Sequence, residues 1–328
     1  MNKKELTVYS GIAILFVVLI HSNSYFMNNV INVKAVEKAP FIVRLLDYYI
    51  KGAVSMFIFI AGYKYALRDL NTDYNVYIKK RLTKVIKPFL IISIIFIIFD
   101  TIGNFNNFNL ILIIKQFIKI FLGYNVVYQL WYIPLYILII TSYPLIYRYI
   151  KSDKVRIMIF VFISLIIRGA GLKYSILTSY PIVFLCSYLL FEMGVLFCKH
   201  NIEEKIKNKD LFILFYIVLV LCFAIAPIPS KISVPLQYFL LWTTGSIAYY
   251  LISLKLKNNR ILNLLGKYSF YIFLFHEPII GKFISKYFIS INIDNFFLLV
   301  IGRCILDIII TLLLYKIIQK TFLNKLIL

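Results

Sequence analysis

The sequence predicts an all-α, polytopic integral membrane protein with about ten transmembrane helices and both termini cytoplasmic. Three observations predict this. Of 328 residues, 62% are hydrophobic and only 15% charged, a balance that excludes an ordinary soluble domain. The apolar residues fall into runs of spanning length, roughly 20 residues for a helix. The net charge of +22 comes from Lys and Arg in short segments between those runs, not from one patch. Positive cytoplasmic loops explain this distribution. No nucleic-acid partner is expected, since no zinc finger, basic arm or glycine-rich phosphate loop occurs.

The first run, Thr7 to Met27, contains no Asp, Glu, Lys or Arg. It follows Lys3 and Lys4 without a small-residue cleavage site, so an uncleaved signal anchor is expected. Further spans are predicted at about 52–67, 88–102, 130–147, 157–172, 181–198, 211–227, 235–254, 268–285 and 295–317. The second and third are short and would need tilt or local thinning of the bilayer. Residues 28–51 form a long outside connection, interrupted by Pro40. Residues 109–123 carry Lys115 and Lys119 four apart on an otherwise apolar helix, which predicts an interfacial helix and not a span. With the N-terminus inside, Lys and Arg divide 23 inside to 11 outside, with Lys64 and Arg303 within spans. This asymmetry predicts both termini inside and Lys34, Lys173 and Lys231 outside. One membrane domain, 1–328, is expected, with no soluble segment at either end. Cys186, Cys198, Cys222 and Cys304 show no C-x-x-C spacing, so buried free thiols are expected, with neither a disulfide nor a metal site.

His21 is the ionisable group of the first run. Such a group inside a span is costly and is by default a functional candidate; the plain alternative is an interhelical hydrogen bond. Ser10 lies eleven residues earlier on the same face, roughly 16 Å away along a helix. That spacing suits a path through the membrane better than a compact site. The most basic inside segment, Tyr77 to Phe89, holds Lys80, Arg81, Lys84 and Lys87. On a helix three or more of them would cover one face able to hold phosphates, with Arg81 as a bidentate fork, or to anchor on anionic headgroups. In the ninth run His276 and Glu277 precede Pro278. Neighbours on a helix stand about 100° apart, so both face one narrow site only if the proline unwinds the chain. Glu192 is a further intramembrane charge and a possible cavity-lining residue. Arg303 and Asp307, four apart, are expected to pair.

Taken together, these segments resemble the acyltransferase-3 family of integral membrane acyltransferases along nearly the whole chain. The first span is similar to that family's opening helix of an arginine, ten residues and a histidine, with His21 at the histidine and Ser10 at the arginine position. Met56 to Leu67 resembles its Phe-Phe-x-x-Ser-Gly-Phe stretch, with Ala61 at the serine. Tyr77 to Phe89 resembles its arginine-rich motif, with Arg81 matched and Lys84 at a second arginine position. Leu130, Trp131, Tyr132, Ile133 and Pro134 resemble Leu-Trp-Phe-x-Pro. Leu265 to Pro278 resembles Leu-Gly-x-x-Ser-x-x-x-Tyr-x-x-His, with Phe273 near the tyrosine.

The resemblance implies transfer of an acyl group, commonly acetyl, from cytoplasmic acetyl-CoA or another acyl-CoA to a hydroxyl of a cell-surface polysaccharide or lipid-linked glycan. No bound cofactor is implied. It assigns His21 as catalytic, His276 and Glu277 as catalytic or structural, and Arg81, Lys84 and Lys80 as donor-binding. Ser10, Trp131, Tyr132 and Glu192 would line the cavity. The partners are membrane lipid, the glycan acceptor and acyl-CoA, and the location is a bacterial plasma membrane. The alternative is a non-catalytic glycan exporter or assembly subunit using the same cavity.

Overall fold

In the computed structural model the described residues are 3–33, 38–103, 110–121, 128–169, 176–226, 233–293 and 295–321. They are helical, with no strand among them. The elements are α1 (Lys3–Asn29), α2 (Phe41–Ile50), α3 (Ala53–Arg68), α4 (Tyr74–Gly103), α5 (Leu110–Phe121), a 3-10 turn (Tyr128–Trp131), α6 (Tyr132–Tyr149), α7 (Asp153–Gly169) and α8 (Ile176–His200). Then come α9 (Ile202–Lys205), α10 (Lys209–Ile225), α11 (Ser233–Lys255), α12 (Arg260–Lys267), α13 (Ser269–Phe275), a π-turn (His276–Ile280) and α14 (Gly281–Ser290). A second π-turn (Leu298–Gly302) leads into α15 (Arg303–Gln319). Lys34, Lys173 and Lys231, expected outside, lie outside the described residues.

Three stretches among the described residues, Lys4–Asn29, Phe41–Arg68 and Leu298–Gln319, are long and apolar enough to cross a bilayer. The second is nearly twice the expected 52–67. Pro40 stands at the cap of α2 instead of interrupting a loop, because a fixed φ and a missing N–H are tolerated at a helix start. Four of the ten residues of α2, Val43, Asp47, Tyr48 and Ile50, are buried. Arg44 secures it by donating to the carbonyls of Ala224 (3.0 Å) and Ala39 (2.8 Å). The third expected span also lengthens: α4 is 30 residues long and already includes the basic segment, with Pro88 inside it. Its start is capped by Asp73, whose Oδ1 accepts from the amides of Asn75 and Val76. The segment expected to be interfacial forms the helix α5, with Lys115 and Lys119 both exposed.

The outward faces are those of a membrane protein. On α7, Met158 and Phe162 are 60% and 65% exposed, and on α15 Ile309, Leu313 and Ile317 form an exposed apolar row. Apolar surface on this scale marks a lipid or protein contact. The polar groups turn inward. Tyr9 donates to the Ser246 carbonyl, and Tyr216 and Tyr249 both donate to the Tyr49 carbonyl. Of the cysteines, Cys186 and Cys304 are buried, but Cys222 is exposed on α10, contrary to the expected burial.

Helix α1 is the central post, touching α2, α3, α11, α12, α13, α14 and α15. One of these neighbours, α12, approaches through a glycine on each helix. A Cβ at Gly11 would stand 2.0 Å from the Leu262 carbonyl, and one at Gly266 would stand 1.8 Å from that of Thr7. Helices α3 and α8 meet in the same way at Gly62 and Gly194. Small residues let backbones come this close where the hydrophobic effect cannot drive association.

Glu192 sits in an ion pair. It is buried against Arg156, whose Nε donates to both carboxylate oxygens (3.2 and 3.1 Å), and Tyr143 also donates to it. Arg156 further donates to the Ile150 carbonyl (2.6 Å) and to Asp153 (2.5 Å) and stacks on Tyr147. Asp153 also receives Lys199 and His200. Burial alone would raise the Asp153 carboxyl, but hydrogen bonds from Lys199, His200 and Arg156 hold it down at about 2. Breaking a buried pair costs about 3–5 kcal/mol, because it strands a charge. Arg156→Leu should therefore lower the detergent-solubilised melting temperature markedly, whereas Arg156→Lys should lower it less. Equal melting of Arg156→Leu and wild type would show that Glu192 needs no partner.

Candidate active site

One half of the site forms where the chain breaks at Pro278, toward the His21 end of α1. A proline cannot donate to the carbonyl four residues back, and it pushes the preceding residue toward extended geometry. Glu277 accordingly has φ −133° and ψ 156° within the π-turn. The condition set by the sequence is met, and the extended residue frees His276 and Glu277 from the usual 100° separation. His276 is fully buried, and its ring centroid is 5.0 Å from that of His21. Its Nδ1 lies 2.8 Å from the Ile272 carbonyl and 3.0 Å from that of Phe273. Carbonyls only accept, so Nδ1 carries the proton. Nε2 of the neutral ring is then a bare acceptor, buried and without a hydrogen-bond partner among the described residues.

Arg303 closes this end. It pairs with Glu277, donates to the His21 carbonyl at 3.2 Å and stacks over the Tyr25 ring at 5.1 Å. A Cβ on Gly281 would meet the side-chain ends of both Arg303 and Glu277, so any larger residue there would make the pair shift. The expected partner Asp307 is present, but at 3.7 Å from Arg303 Nε. Glu277 is the nearer partner. Asp307 and Thr311 follow Arg303 at successive turns of α15 and are fully buried; neither the Asp307 carboxylate oxygens nor Thr311 Oγ1 has a hydrogen-bond partner among the described residues.

The other half, called the inner cavity because it lies toward the Ser10 end of α1, has a volume of about 210 Å³, and Ser10, Lys64, Arg81, Tyr132, Ser269 and Phe273 help to line it. Here the structure brings together five segments remote in sequence. Ser10 bonds its hydroxyl back to the Leu6 carbonyl at 3.0 Å. Arg81 and Lys64 supply two cationic side chains to the same cavity. The outer wall is the edge-to-face pair Tyr132–Phe273, with ring centroids 5.7 Å apart. Phe273 is one turn before His276, and their ring centroids are 6.3 Å apart. The inner cavity therefore ends one aromatic side chain away from the histidine pair.

Other expected residues stand elsewhere. Arg81, although in the cavity, is ion-paired with Asp69 through one terminal nitrogen of its guanidinium. Lys80 and Lys84 are exposed and outside the cavity, with Lys80 3.8 Å from Asp69. Tyr132 lines the cavity and Trp131 does not; it packs beside it, against the α6 and α8 cluster. Sequence reasoning passed over Lys64, Tyr136 and Ser269 as lining residues and Asp69 as the partner of Arg81. Lys64 had a signal, a cation inside an apolar run. Asp69 had none, because its partner is twelve residues away across a turn.

The acyltransferase-3 family model, described as an acyltransferase domain, matches residues 9–316. The match takes in every residue of the two half-sites. No curated protein and no solved structure matches the chain.

Proposed function

Because this chain belongs to the acyltransferase-3 family of integral membrane acyltransferases, we propose that it moves an acyl group, acetyl in the first instance, from cytoplasmic acyl-CoA to a hydroxyl of a cell-surface polysaccharide or lipid-linked glycan. The donor enters from the end of α1 that carries Ser10. The acceptor hydroxyl reaches the histidine pair from the outside. His21 takes the hydroxyl proton as general base, and the oxygen attacks the thioester carbonyl. The C–S bond breaks, and the leaving thiolate recovers a proton from the histidine. His276, with Nδ1 committed to carbonyls, serves as a hydrogen-bond acceptor that orients the hydroxyl or the His21 ring. Arg303 and Glu277 hold both in place.

One observation carries this reading. The cation-lined inner cavity stops at Phe273, and the next turn of the same element bears His276 against His21. A thioester carbonyl at the end of that cavity would lie between donor and acceptor sides. The setting proposed is a bacterial plasma membrane, crossed ten times, with both termini inside. The two short helices α2 and α3 then make one crossing, as do α13 and α14. The competing reading, glycan export without transfer, draws on Ser10, where the family has an arginine. Arg81 and Lys64 in the same cavity answer it, because either can supply the missing charge.

The test is purified protein with radiolabelled acetyl-CoA and envelope extract, comparing wild type with Ser10→Arg. Label should move to envelope glycan with both, and Ser10→Arg should alter the donor KM only modestly. Transfer by Ser10→Arg alone would make the natural protein a non-catalytic relative.

A further inference from the structure

The inner cavity, at about 210 Å³, falls below the roughly 300–1,000 Å³ of sites that hold drug-sized ligands. It is too small for the whole of a coenzyme A thioester, which carries a phosphorylated nucleotide as well as its acyl-pantetheine arm. A second cleft of about 640 Å³ lies beside it, between the α3–α4 turn and the end of α6. Asp69, Asp73, Tyr77, Arg148 and Lys151 are among its lining residues.

The two spaces share one wall. Asp69 faces the outer cleft, Arg81 faces the inner cavity, and the two are ion-paired. Tyr77, which also lines the cleft, lies 5.7 Å from the guanidinium. The wall is imperfectly closed in its bonding, since Arg81 Nε is buried with no hydrogen-bond partner among the described residues. The acids of the cleft are engaged, Asp69 by Arg81 and Asp73 by the first amides of α4. Arg148 and Lys151 are exposed and, among the described residues, have no ion-pair partner.

On the donor assignment above, we propose that this outer cleft receives the phosphates of the acyl-CoA nucleotide on Arg148 and Lys151, and that the Asp69–Arg81 pair is the movable wall between nucleotide and thioester compartments. A phosphate entering the cleft stands beside Asp69 and competes with it for Arg81. A guanidinium binds phosphate as readily as carboxylate through the same two-pronged geometry. Exchange of Arg81 from Asp69 to phosphate parts the wall, and the pantetheine arm passes into the inner cavity.

The test is equilibrium binding of coenzyme A and of pantetheine to the full chain in lipid nanodiscs. The double variant Arg148→Gln, Lys151→Gln should weaken coenzyme A binding at least tenfold and leave pantetheine binding unchanged. Its coenzyme A binding should also lose part of its salt dependence. Asp69→Asn, which removes the competing anion, should tighten coenzyme A binding several-fold, whereas a merely structural pair would lower the melting temperature without tightening it. If Asp69→Asn does not fold, Arg81→Lys replaces it. That variant keeps the charge and loses the fork, so coenzyme A should weaken and pantetheine should not. Coenzyme A affinity equal to wild type in the double variant overturns the cleft assignment, and so does an equal loss for both ligands. Coenzyme A affinity that does not rise in Asp69→Asn, or does not fall in Arg81→Lys, overturns the wall. Failure of the wild type to bind coenzyme A at all would instead remove the donor reading, and this inference with it.

Discussion

His21→Ala should lose acyl transfer by about 10²–10⁴-fold, the range that a positioned general base contributes. The loss should fall on kcat, because the imidazole acts on the reacting hydroxyl. Folding should survive, for a structural reason: Arg303 is held by the main-chain carbonyl of His21, which an alanine retains. Initial rates of label transfer and the melting temperature of the same preparation check both halves. Transfer at the wild-type rate would end the general-base role. The close approach of the two rings changes what is expected of His276. If it only braced its helix, His276→Ala would cost stability alone. With its Nε2 buried and bare beside His21, the variant should lose activity as well.

The second large effect is on the fold. Gly62→Val and Gly194→Val should each prevent normal accumulation of the protein or lower its melting temperature severely. A Cβ at either site would stand 2.0 Å from a carbonyl of the facing helix, Phe191 in one case and Phe59 in the other. Overpacking a core with side chains typically costs about 1–3 kcal/mol, because side chains can shift. Here the obstacle is backbone within a helix, so α3 and α8 must separate along their length. Helix α3 carries Ile60, Ala61 and Lys64 into the inner cavity, and donor binding should fail with the packing. Fluorescence size-exclusion of tagged variants in detergent gives the readout. A monodisperse Gly62→Val peak melting like wild type would show that this contact is not needed.

The long apolar helices, the amphipathic helix α5 and the unwinding at Pro278 were all legible in the sequence. Each depends on neighbours within a turn or two: helical periodicity, the placement of Lys115 and Lys119, a proline after a charged residue. The candidate residues His21, Arg81 and His276 were legible because a charge or an imidazole beside an apolar run is expensive and stands out. The chain's membrane class and its family both follow from local patterns of this kind.

Pairing was decided only by the tertiary structure. Glu192 belongs to Arg156, 36 residues away, and Arg303 reaches Glu277 before Asp307, although i, i+4 spacing favours Asp307. Ser10, Lys64, Arg81 and Ser269 share one cavity with no periodicity linking them. The reason is physical. A helix face specifies that a side chain is buried but not against what. The partner depends on which helices approach closely enough, and that is set by glycines such as Gly11, Gly62, Gly194 and Gly266, whose contacts lie on other helices.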